Sequence, residues 1–68
     1  MRWELEGKRL VLAGTRWHVE QDADNSIVWH AMKDGRRGRF FNGLIEALEH
    51  AEEEAQLDWL ASQKGIER

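Results

Sequence analysis

Residues 29–42 read Trp29-His30-Ala31-Met32-Lys33-Asp34-Gly35-Arg36-Arg37-Gly38-Arg39-Phe40-Phe41-Asn42. Asp34-Gly35 is a strong two-residue hairpin signal, because the favoured hairpin turns need positive φ at their central residues. A hairpin centred there sets Trp29 opposite Phe40 and puts both on one face. Asn42 suits a helix N-cap. Beyond it, Leu44, Leu48, Ala51, Ala55 and Trp59 follow at spacings of four, three, four and four, the stripe of an amphipathic helix over residues 42–64. Lys64 in the last turn and Gly65 just past it form a stop signal, leaving residues 65–68 as a tail.

Toward the N-terminus the same core face can be followed from turn to turn. A loop over residues 22–26 pairs Val19 with Ile27 and Trp17 with Trp29. Gly14-Thr15 as a hairpin turn sets Leu12 opposite Trp17 and Leu10 opposite Val19. A loop over residues 6–9 sets Leu5 opposite Leu10 and Trp3 opposite Leu12. Four turns agree on one apolar face, and a one-residue slip at any of them would turn that strand's apolar set toward water. The expected fold is α+β: an antiparallel β-meander of three to five strands over residues 1–41, with one C-terminal α-helix packed on one face. With 68 residues the chain is read as a single domain, 1–68, near the lower size limit for independent folding.

Cysteine is absent, so neither disulfides nor thiolate ligands contribute. The longest apolar run, residues 10–13, is far short of a membrane span, and no secretory pattern opens the chain; a cytoplasmic protein that does not enter membranes is expected. The formal charge of −3 hides an asymmetry. Residues 1–41 carry eight Lys/Arg and six Asp/Glu, or +2, and residues 42–68 carry two and seven, or −5. The two halves suit different partners.

The face opposite the core follows from the pleat: Arg2, Glu4, Arg9, Val11, Arg16, His18, Glu20, Val28, His30, Met32, Arg37, Arg39 and Phe41. On the expected registers Arg16, His30 and Arg39 are neighbours, with Val11, His18, Val28 and Phe41 as an apolar row beside them. An open sheet with arginines around an apolar centre can contact phosphates and base edges, so Arg16, His18, His30, Arg37, Arg39 and Phe41 form a candidate nucleic-acid surface. An ordinary solvated sheet face accounts for the same residues.

Trp17-His18-Val19 opening a strand, Phe40-Phe41-Asn42 before the helix, and Glu46-Ala47 with Ala51 inside it give residues 16–55 a loose resemblance to the three-strand-plus-helix domains of plant apetala-type transcription factors and of tyrosine-recombinase arm-binding ends. The pattern also resembles small bacterial and phage domains. The first resemblance implies DNA binding by the sheet, carried here by Arg16, Arg37 and Arg39. The N-terminal hairpin and the acidic helix lie outside it.

Catalytic signatures are missing. His18, His30 and His50 have no metalloprotease spacing, and no nucleophile elbow or phosphate-binding glycine loop occurs. A non-enzymatic binding module without metal or cofactor is expected, with DNA as its first partner. The alternative is a small protein-binding regulator or inhibitor that uses its acidic helix or mixed sheet face. Leu57 and Leu60 fall about 220° and 160° around the helix from Leu44. A helix this long would overhang a small sheet, so Leu57, Trp59 and Leu60 are candidates for a protein contact such as a homodimer.

Overall fold

Five strands and one helix account for the computed structural model, which describes residues 2–66: β1 Trp3–Glu6, β2 Arg9–Leu12, β3 Trp17–Gln21, β4 Trp29–Lys33, β5 Arg36–Phe41 and α1 Leu44–Ile66. The strands form one antiparallel sheet in the order β1-β2-β3-β4-β5, and α1 packs across β3, β4 and β5. The α+β meander read from the sequence is the observed fold. Of the expected tail, residues 67 and 68 lie outside the described residues.

The first two registers are those the turns require: Trp3 opposite Leu12, Leu5 opposite Leu10, and Leu10 opposite Val19. The third differs by four residues, since Val19 faces Ala31, Trp17 faces Lys33 and Gln21 faces Trp29. Asp22 causes the difference. Its Oδ2 accepts the backbone N–H groups of Asp24 and Asn25 at 3.0 and 3.1 Å, and Asn25 Oδ1 accepts that of Ile27 at 3.2 Å. This side-chain turn takes Ile27 and Val28 out of the strand and leaves Ile27 exposed. Because the slip is even, Trp29 still faces the helix.

The Asp34-Gly35 turn forms as expected, with φ of 55° and 77°, and pairs Lys33 with Arg36 and Met32 with Arg37. Past that point the register shifts by one, giving His30 opposite Phe40 and Trp29 opposite Phe41. Gly38 lies in this bulge, so close to β4 that a Cβ there would meet the Ala31 carbonyl oxygen at 2.9 Å. Two expectations are corrected by it. Phe41, not Phe40, joins the helix side, and Arg39 moves there as well, its guanidinium 5.5 Å over the Phe41 ring. Phe40 stands on the opposite face, 62% exposed.

Val19, Ala47 and Ala51 form the buried centre, with Trp3, Trp17, Trp29, Phe41, Leu44 and Leu48 packed around them. Ala47, Ala51 and Ala55 recur every fourth residue, and their small side chains let the helix settle close to Val19 and Ala31. Trp3, Trp17 and Trp29 form the rim. Each of two can remain half-buried because its indole N–H reaches a helix carboxylate: Trp3 to Glu52 at 2.7 Å and Trp17 to Asp58 at 3.3 Å. Leu5, Ile27, Phe40 and Trp59, all expected in the core, are exposed.

The strand runs through Phe41, so the chain turns at Asn42 and Gly43. The cap position is therefore Gly43, whose carbonyl accepts the Ala47 N–H at 3.4 Å, and not Asn42. At its other end the helix continues through Gly65. Its 23 residues span about 35 Å at 1.5 Å per residue, whereas the longest strand, β5 with six residues, spans about 20 Å. The molecule measures 46 × 20 × 19 Å, and the end of the helix projects past the sheet.

The bulge requires glycine. Gly38→Ala should cost about 1–3 kcal/mol, because the obstacle is backbone and has nowhere to move. Urea unfolding followed by tryptophan fluorescence measures it; unchanged stability would mean the bulge does not form.

Candidate nucleic-acid interface

The six candidate residues do not form one surface. The register of β3 on β4 separates Arg16 from His30 and puts Glu20 opposite His30. Arg16 lies instead 3.7 Å from Asp34, next to the tight turn. His30 Nε2 lies 2.7 Å from Asp22 Oδ1, a contact in which the ring nitrogen carries the proton. His18 is buried between its neighbours Val11 and Met32, with Nε2 3.2 Å from Glu20 Oε1. Both histidine rings on the open face are thus engaged with carboxylates. Phe41 belongs to the core rim, against His50 at 5.1 Å between ring centroids.

What remains exposed and basic is the edge strand. Arg36, Arg37 and Arg39 are exposed, and among the described residues none has a carboxylate within ion-pair distance. Register places Arg37 on the open face beside Met32, and Arg36 and Arg39 on the helix side. The arginines straddle the edge. A shallow cleft of about 550 Å³ runs along the hairpin, lined by Trp17, Lys33, Asp34, Arg36, Arg37 and Gly38. Lys33 is committed elsewhere, to Asp58 at 2.8 Å.

Arg36 and Phe40, both exposed on the same edge strand, were not among the residues that sequence reasoning singled out. A glycine inside a strand pattern is a bulge signal, and Gly38 read that way would have turned Phe40 outward. Leu57, Trp59 and Leu60 are 52%, 58% and 44% exposed near the projecting end of α1. A second groove of about 730 Å³ separates that end from the turn between β2 and β3, with Thr15, Trp17, Asp58 and Trp59 among its walls. Among the described residues no group of three His, Asp or Glu side chains is placed to hold a metal ion, and no helix is long and apolar enough to cross a membrane.

Comparison of the chain with family models, with curated proteins and with solved structures gives no match. The functional assignment therefore rests on the geometry of the hairpin.

Two carboxyls are held below their ordinary range. Asp22 is lowered by the hydrogen bond from His30 and then by the backbone N–H of Asp24; Asp58 is lowered by Lys33 and then by the Trp17 indole. A carboxyl whose folded value is depressed contributes stability that is complete above its unfolded value of about 3.9 and is lost as pH falls through the folded value. Asp58→Asn should therefore give a urea midpoint that changes less between about pH 5 and about pH 2 than that of the parent protein. An identical pH profile would show that the Lys33 and Trp17 contacts do not form.

Proposed function

We propose that this domain binds nucleic acid, DNA in the first instance, through the β4–β5 hairpin, with Arg36, Arg37 and Arg39 on the phosphates. The observation that carries the proposal is three exposed arginines together on one edge strand, none with a carboxylate partner among the described residues. An unpaired guanidinium presents its donors to phosphate in bidentate geometry. Glu46, Glu49 and Glu53 are exposed on α1, and their repulsion of a phosphate backbone is screened by salt beyond about 8 Å. This surface is smaller than the one expected from the sequence: His18 and Phe41 support the fold, and Arg16 is partly neutralised by Asp34.

Protein binding is a second proposal, favoured by the exposed Leu57, Trp59 and Leu60 on the projecting helix end. A symmetric homodimer would cover Leu57 and Leu60, which lie about 60° apart around the helix. Light scattering at micromolar concentration distinguishes the cases. A dimer that Leu57→Glu with Leu60→Glu converts to monomer supports it, and a monomeric parent rules it out.

The nucleic-acid proposal predicts a salt slope. Three phosphate contacts should make log K fall against log[salt] with a slope of about −2 to −3, and Arg36→Ala, Arg37→Ala and Arg39→Ala together should remove most of it. Folding should be retained, since the three side chains are exposed. Fluorescence anisotropy with labelled oligonucleotides at two salt concentrations measures both. A parent protein that binds nothing at low salt, or a triple variant that binds like the parent, defeats the proposal.

A further inference from the structure

The geometry points to a single-stranded ligand, bound with one unpaired base stacked on Phe40; this rests on the phosphate-binding role proposed for the hairpin and specifies its ligand. Phe40 is 62% exposed on the face away from the helix, an orientation imposed by the bulge at Gly38. Its ring lies beside that of His30, at 6.4 Å between centroids with 59° between the planes. The His30 ring is itself anchored by Asp22, so the wall next to Phe40 does not need to be ordered on binding. One aromatic face is left open to solvent, within the strand that carries the arginines.

Strandedness follows from where those arginines point. Arg37 projects on the same face as Phe40, whereas Arg36 and Arg39 project on the other side of the strand. A duplex laid on the open face would meet Arg37 and also the carboxylates of Glu20 and Asp22, and it would leave Arg36 and Arg39 behind the sheet. A single strand running along the edge can bring phosphates to both sides of β5. Its bases are unpaired, so one can turn onto Phe40 without breaking a base pair, and stacking on an aromatic side chain is tolerant of sequence. Exposed unpaired bases and the phosphates between them are common to single-stranded DNA and RNA, and the chemistry of the site accepts either.

The test compares the full chain with labelled ten-nucleotide oligo-dT and oligo-U and with a ten-base-pair duplex, at low salt, by fluorescence anisotropy. Parent protein should bind a single strand more tightly than the duplex. Phe40→Ala should weaken single-strand binding roughly tenfold, within the range found for loss of one stacked base, and Phe40→Tyr should restore it. The tighter of the two single strands identifies the sugar. Duplex binding at least as tight as single-strand binding, or a Phe40→Ala protein that binds single strands like the parent, overturns the inference while leaving phosphate binding by the arginines intact. Absence of binding to all three probes removes the underlying proposal, and this inference with it.

Discussion

Gly38 approaches the Ala31 carbonyl so closely that the strand has no room for a Cβ, and the bulge at this contact decides which way each later side chain of β5 faces. Without it, Phe40 would lie on the helix and Phe41 in solvent. With it, Phe41 closes the core against His50 and the Val19, Ala47 and Ala51 centre, and Phe40 is turned outward next to His30. Arg39 is carried to the helix side in the same movement and joins Arg36 there, while Arg37 keeps the open face. A bulge also disrupts the outer hydrogen-bonding line of an edge strand, and together with exposed arginine it discourages pairing with another sheet.

The core beneath this edge is thin. Alanines on the helix and Val19 and Ala31 on the sheet bring the two layers close, and four bulky aromatics at the rim, Trp3, Trp17, Trp29 and Phe41, supply the remaining apolar area. Glu52 and Asp58 receive the indole N–H groups of Trp3 and Trp17, so part of the helix acidity is structural. Asp58 does more than accept the Trp17 indole, since it also holds Lys33 beside the turn of the arginine hairpin. Glu46, Glu49 and Glu53 leave exposed negative charge on α1.

Parity is the part of this fold that the sequence makes legible. The apolar alternation and the glycine-containing turns determine which face each strand presents, and that result survives even where the partner was misjudged, as for Trp29, because the slip at β3–β4 was by an even number of residues. Two local effects were not legible from alternation. One is the Asp22 side-chain turn, which consumes Ile27 and Val28 before the strand begins. The other is the bulge, which breaks parity within a single strand, although Gly38 was its visible sign. The expected neighbourhood of Arg16, His30 and Arg39 fails for the same two reasons. Arg37 and Arg39 were named for their chemistry, but the cluster assumed around them depended on registers that side-chain hydrogen bonds and a backbone contact override.

Nuclear Overhauser contacts from the two phenylalanine rings test the bulge most directly. The account predicts contacts from Phe41 ring protons to His50 and from Phe40 ring protons to His30, with none joining Phe40 to His50. Contacts from Phe40 to His50, with Phe41 facing the solvent side of the sheet, would contradict it.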